Sequence, residues 1–228
     1  MKQLTEDKFV SNLIGYKSYI IKKNFLAKNI KNLRRPFFLT YKSSKKKNLK
    51  LKTKGLHIKL LSRLVYFERK YITKQTLKIS CRKTKKKDLG QLLKIAKENN
   101  LNSRFILDKF IPDDFKKNYR SEWVKNFFKK KRGDYLLVAT SKTKILGFVL
   151  IIKKKNILVI DLIVTSKKYR KKKVATSLIN YINNKIMKPT YRLSAGTQKN
   201  NLAAIKMYKR LGFIKKRIET FCYHIHGR

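Results

Sequence analysis

Apolar and polar positions alternate with a clear rhythm from about Leu77 onward. LKISC (77–81) alternates in the manner of a strand. Leu89, Leu92, Leu93 and Ala96 then recur at helical spacing, with Thr84 placed to cap the helix. Pro112 followed by Asp113 and Asp114 marks a second helix start, with carboxylates at the positive end of the dipole. Phe115, Tyr119, Trp123 and Phe127 follow at four-residue steps, an aromatic stripe suited to a core. DYLLVAT, KILGFVLIIKK and NILVIDLIV predict three strands in hairpin order, the first two joined by a turn at SKTK. A helix over 171–186, a strand over 190–198, a helix over 201–211 and a strand over 213–225 complete the pattern. Hairpins followed by β-α-β-α-β indicate an α/β fold with a mixed sheet.

The first third lacks this rhythm. Residues 1–32 mix apolar side chains and lysines without periodicity, and RRPFFLTY reads as a short strand before a basic connection. HIKLLSRLVYF and YITKQTLKI fit strand or short helix equally. The division expected is therefore an ancillary region over 1–76 and a main domain over 77–228.

Composition bounds the possibilities. The chain has 228 residues, enough for one medium domain and part of another, and its 42% hydrophobic content with 13 Phe and 12 Tyr indicates a folded core. The formal net charge of +49 invites a nucleic-acid reading. Lysine is spread through every segment with no common face, however, so nucleic acid is not the expected partner. The charge still favours anionic ligands. Two cysteines make no disulfide framework, and no secretory pattern opens the sequence. The longest apolar run, Ile145 to Ile152, is short of the ~20 residues a membrane span needs, so a soluble, cytoplasmic protein is expected.

Several residues carry candidate chemistry. Arg170, Lys171, Lys172, Lys173, Val174, Ala175 and Thr176 form a basic turn entering a helix. Backbone N–H groups converge at such a point with the helix dipole behind them, a ready pyrophosphate site. Asn201, Ala204 and Tyr208 are three and four residues apart and share one helix face, where a small residue between two polar ones admits a thin ligand. Asp161 interrupts an apolar strand and is a candidate proton relay or an ion-pair partner. Cys222, His224 and His226 fall on one strand face, but no metal-ligand spacing motif accompanies them and no metal is assigned.

The order from Ile157 to Phe213 resembles the acetyl-coenzyme A-binding half of the GNAT N-acetyltransferase superfamily. The 170–175 segment stands where that superfamily carries R-x-x-G-x-G/A, and N-x-x-A-x-x-x-Y-x-x-x-G-F follows at Asn201 to Phe213. The resemblance implies a mixed, mostly antiparallel central sheet flanked by helices, with acetyl-coenzyme A as acyl donor wedged where the fourth and fifth strands part. It implies that Asn201 bonds the pantetheine arm and that Ala204 lets the arm lie close. Tyr208 would sit beside the thioester sulfur as general acid. Backbone N–H groups around Ile163 and Val164 would stabilise the oxyanion. Lys173 departs from the pattern, replacing the first glycine. If the backbone there is left-handed, a residue with a side chain is strained by about 1 kcal/mol or more.

The stretch NSRFILDKFIPDDFKKNYRSEWVKNFF resembles the S-R-F…D…Y…W segment of bacterial nucleotide-amino-sugar N-acetyltransferases of the dTDP-fucosamine type. GTQ before the Asn201 motif and the terminal Y-H-I-H resemble the same group. The implied acceptor is a nucleotide-linked amino sugar, with Ser103, Arg104, Phe105 and Trp123 as substrate contacts. Arg104 suits a diphosphate through its bidentate fork. The alternatives are a ribosomal-protein type N-terminal acetyltransferase, which shares the turn and the N…A…Y motif, and a degenerate fold binding RNA or an acidic partner.

Overall fold

The computed structural model describes residues 4–21, 30, 32–49, 54–98 and 103–228. In chain order, β1 (Leu4–Glu6), α1 (Lys8–Ile14), β2 (Lys17–Ile21), β3 (Phe37–Ser43) and β4 (Leu56–Lys70) come first. β5 (Ser80–Lys83), α2 (Leu89–Lys97) and α3 (Asp113–Phe128) follow. The strands β6 (Tyr135–Ser141), β7 (Lys144–Lys154) and β8 (Ile157–Thr165) lead to α4 (Val174–Lys185). Last come β9 (Arg192–Gln198), α5 (Leu202–Arg210) and β10 (Ile214–Gly227).

Among the described residues these strands form one ten-stranded sheet in the order β1-β2-β3-β10-β4-β9-β8-β7-β6-β5. Only β2–β3 and β8–β9 pair in parallel; the other neighbours are antiparallel. The mixed, mostly antiparallel sheet flanked by helices agrees with the expected fold class. The sheet runs across the division expected at residue 77. β4, from the first third, lies between β10 and β9, with Phe67 opposite both Lys215 and Ala195.

Helices cover both faces of the sheet. On one face α4 and α5 bury Val174, Leu178, Ile179, Ile182 and Tyr208 against Phe67, Ile160, Leu193 and Ala195. The other face carries α2 and α3 over Phe148, Leu150, Leu162 and Val164, and α1 and α3 around Phe38 and Phe105. Phe115 and Tyr119 of the aromatic stripe are fully core, while Trp123 and Phe127 are partly buried at its edge.

Some boundaries differ from the pattern reading. The strand expected at 77–81 begins at Ser80. Thr84 does not cap the next helix. Its hydroxyl donates to Asp88, whose carboxylate accepts from the Lys85 N–H and pairs with Arg82 at 2.7 and 2.9 Å. Residues 71–79 form neither strand nor helix up to Lys78. They are strapped to α4 instead: the Asn183 side chain pairs with both backbone groups of Ile72, and Asn184 does the same for Gln75. Amide side chains thus supply the partners that a sheet neighbour would have supplied.

Candidate functional site

β8 pairs with β9 only over Ile157–Ile160, opposite Arg192–Ala195. Beyond Ile160 the two parallel strands separate, so Asp161–Val164 keeps β7 on one edge and, among the described strands, has none on the other. The separation begins at a bulge. Leu150 faces Leu162 and Ile151 faces Ile160, which leaves Asp161 as the extra residue. The bulge also turns the strand over: Leu158 and Ile160 face the α4–α5 core, whereas Leu162 and Val164 face the α2–α3 core. The segment holding Ile163 and Val164 therefore has an edge free of sheet pairing, as an oxyanion donor requires.

The basic turn abuts this opening. Lys171 and Lys173 are both left-handed, at φ 61° and 60°. That conformation is the strained one expected for a glycine position that carries a side chain. The first helical bond of α4 is donated by the Ser177 N–H to the Lys173 carbonyl, so the N–H groups of Val174, Ala175 and Thr176 lie ahead of the helical ladder. Gly147 of β7 brings this helix end down onto the sheet. A Cβ there would stand 2.6 Å from the Val164 carbonyl oxygen and 2.8 Å from Val174 Cγ1. Cations gather around the turn. The Lys173 ammonium is pushed down chiefly by the neighbouring Lys78 ammonium, with Arg210 adding to it. Lys172 lines a cavity of about 420 Å³ with Tyr169, Val174 and Leu146. A strand edge, a helix start and clustered positive charge together are features that suit a diphosphate.

On α5, Asn201 is the N-cap. Its Oδ1 accepts from the Ala204 N–H at 3.3 Å, and its Nδ2 donates to Thr197 Oγ1 at 3.1 Å. The residue therefore ties the helix start to the end of β9, beside the opening. Tyr208 is 3% exposed and packs between Phe67 and Phe213 at centroid distances of 5.6 and 5.1 Å. Burial pushes its phenol well above the ordinary value, so the proton is held more firmly than on an exposed tyrosine. Ala204 is half-buried against the same cluster.

Of the two roles open to Asp161, proton relay or ion-pair partner, the structure shows the ion pair. Both its oxygens are held by Arg132, at 2.7 and 2.9 Å, and Arg132 lies over the Trp123 ring at 4.1 Å. The guanidinium fork occupies both carboxylate oxygens. The pairing answers the cost of an acidic side chain in an apolar strand.

Ser103, Arg104 and Phe105 lie in the loop before α3. Ser103 is buried, and its hydroxyl accepts from the Phe105 N–H. The Phe105 ring is core, against Phe115 and Tyr119 at 4.8 and 5.3 Å. Arg104 lays its guanidinium over that ring at 4.4 Å. Trp123 meets Tyr119 edge-on at 5.6 Å.

The pattern reading missed a buried triad. Asp108 Oδ2 lies 2.6 Å from His224 Nδ1 and 2.8 Å from His226 Nε2. These three, rather than Cys222 with the histidines, form the only group of potential metal ligands among the described residues. Their separations are those of hydrogen bonds. The signal for Asp108 was present as an acidic residue within an otherwise apolar, aromatic run. His57 stands opposite His226 in the sheet and packs on Phe110 at 4.7 Å.

Two expectations follow. Burial dominates His224 and lowers it from 6.5 to about 4, so the folded protein keeps this imidazole neutral where the unfolded chain takes a proton. Stability should fall by about 1.4 kcal/mol per pH unit as pH drops from 6.5 toward 4. Burial pushes Asp108 up, but its two imidazole hydrogen bonds outweigh this and hold it below its ordinary 3.8, so its share is lost only below that pH. Urea unfolding across pH should show this slope in the parent and a flatter one in His224→Gln. Second, Lys173→Gly removes left-handed strain and should raise Tm by about 2–4 °C, read by thermal unfolding.

Comparison with known proteins bears on the fold and the family. Over 139 residues the chain is 24% identical to the Bacillus subtilis (strain 168) spore coat polysaccharide biosynthesis protein SpsD, covering 60% of this chain. The match spans 47% of the relative, about half its length. A conserved protein of unknown function from Staphylococcus epidermidis superposes with a TM-score of 0.62 at 14% identity, covering 96% of this chain and 88% of that one. A GCN5-related N-acetyltransferase from Sphaerobacter thermophilus gives a TM-score of 0.53 at 10% identity, covering 85% and 61%. At these identities the structural likenesses speak for the fold alone. The profile of the acetyltransferase (GNAT) family matches residues 90–213, more than half of the chain and the segment that builds the opening, the turn and α5. The chain belongs to the GNAT acetyltransferase family, which takes its acetyl group from acetyl-coenzyme A.

Proposed function

We propose that the protein transfers an acetyl group from acetyl-coenzyme A to the amine of a nucleotide-linked amino-deoxysugar. The observation that carries the acetyltransferase part is the parting of β8 and β9 beyond Ile160, with the basic turn and the start of α4 alongside. Acetyl-coenzyme A brings the acetyl group already activated as a thioester. The residues of the chain bind it, orient it and manage protons. Backbone N–H groups of 171–176 hold the diphosphate, and Asn201 and Ala204 border the arm. The free edge of β8 at Ile163 and Val164 stabilises negative charge on the acetyl oxygen. Tyr208, whose phenol carries its proton at neutral pH, supplies that proton to the departing sulfur.

The acceptor reading rests on other features. The Ser103-Arg104-Phe105 loop and Trp123 stand on the face of the sheet opposite α4 and α5, so an acceptor there approaches the opening from the side away from the coenzyme turn. The Bacillus subtilis relative is named for polysaccharide biosynthesis, a process that consumes activated sugars. With Asp161 committed to Arg132, the amine loses its proton to water.

Tyr208→Phe keeps the ring and its packing but removes the proton. Turnover should fall by a factor on the order of 10² to 10⁴ with coenzyme affinity nearly unchanged. Steady-state kinetics with a nucleotide amino sugar, beside calorimetry with coenzyme A, reads both quantities. Turnover within a few-fold of the parent would assign Tyr208 to the core alone.

A further inference from the structure

Buried polar atoms without partners are not scattered evenly in this protein. Eight such side-chain atoms occur among the described residues, and six of them belong to Ser62, Arg104, Trp123, Gln198, His224 and His226. Register places the four strand residues among them on one side of the sheet. Ser62 stands opposite Cys222, two residues from His224, and Gln198 stands opposite Leu64, two residues from Ser62. Arg104 and Trp123 come from the loop and helix that pack on that side. Leaving buried donors and acceptors unmet is costly, and a cluster of them facing one way is best explained by a ligand that meets them.

A path of contacts links this cluster to the opening. Arg132, bound to Asp161 at the bulge, covers Trp123; Trp123 meets Tyr119; Tyr119 meets Phe105; and Phe105 carries the Arg104 guanidinium. At its far end stands Lys42 of β3, opposite Cys222 and on the same side of the sheet. Neither Lys42 nor Arg104 enters a side-chain hydrogen bond or an ion pair with any described residue. Asp7 is the carboxylate that acts on both, from beyond ion-pair range, while its side chain caps α1. Crowding by protein lowers both cations, and Arg104 lowers Lys42 further. Lys42 nevertheless reaches solvent.

We propose that Lys42 and Arg104 form a clamp for the diphosphate of the acceptor, on the face of the sheet from which the acceptor approaches the opening between β8 and β9. The inference rests on the acceptor reading above and deepens it. Two unpaired cations side by side repel until an anion joins them, and the guanidinium fork matches phosphate oxygens bidentately. Lys42 lies three strands from β9, roughly 15 Å across the sheet, a span that a sugar ring and a diphosphate cover once both long side chains reach inward. Ser62 and Gln198, lying between, then offer their unmet groups to sugar hydroxyls. The acceptor site is on this account built in half by the first third of the chain.

The test uses the full chain saturated with coenzyme A, which blocks the basic turn, at an ionic strength of about 0.15 M to screen the general positive charge. Thymidine diphosphate and uridine diphosphate are titrated by calorimetry against the parent, Lys42→Met, Arg104→Met and Lys185→Met. The last removes one exposed positive charge on α4 and serves as a control. At least one diphosphate should bind the parent, and both Lys42→Met and Arg104→Met should weaken it tenfold or more. Lys185→Met should not change it, and coenzyme affinity should stay the same in all four proteins. Lys42 is exposed, so its substitution leaves the fold intact even if that of Arg104 does not. Diphosphate binding that survives both substitutions within twofold overturns the clamp and leaves the acceptor reading standing. Absence of diphosphate binding by the saturated parent overturns the clamp as well. A clamp that binds diphosphates in a protein that acetylates no nucleotide amino sugar supports this inference and overturns the acceptor reading instead.

Discussion

Everything proposed for this protein depends on two parallel strands that stop pairing halfway along. β8 and β9 pair over four residues and then part, so that among the described residues one edge of Asp161–Val164 faces no neighbouring strand inside an otherwise continuous sheet. Buried N–H and C=O groups do not stay unmatched without a reason. The bulge at Asp161, the glycine at 147 and the left-handed turn at 171 and 173 all serve to hold the parting and to set a helix start beside it. The strain of two lysines at positive φ is stored where the helix dipole and surrounding cations converge.

The N-terminal strands are joined to this arrangement rather than appended to it. β4 is inserted between β9 and β10, so the last strand of the chain never touches the strand that borders the opening. Asp108 then fastens the loop carrying Arg104 to β10 through His224 and His226. That buried triad fixes the Phe105 ring and with it the position of the guanidinium above it. Coenzyme chemistry and acceptor chemistry thus fall on opposite faces of one sheet, and the gap between β8 and β9 is the place where they can meet.

Much of this was legible in the residues, and the limits have physical causes. The hairpin strands and α3 to α5 follow from periodicity because each has one buried face, and the turn and the Asn201 to Phe213 motif stood out by spacing. β4 was ambiguous because the 15-residue strand is inserted between two others, and its burial alternates only in part. The role of Asp161 could not be read from its strand, since Arg132 reaches it from 29 positions away. Asp108 and the histidines are 116 and 118 residues apart and meet only through packing. Lys42 was hidden by sheer abundance: in a chain with 61 basic residues, only position marks one out.

Amide hydrogen exchange with and without acetyl-coenzyme A tests the central claim most directly. If the parted strands and the basic turn hold the coenzyme, its addition should slow exchange at 161–165 and 171–176, while β5 and β6 on the far side of the sheet change little. Tight coenzyme binding with no protection at either segment would contradict the account, because the ligand would then sit elsewhere.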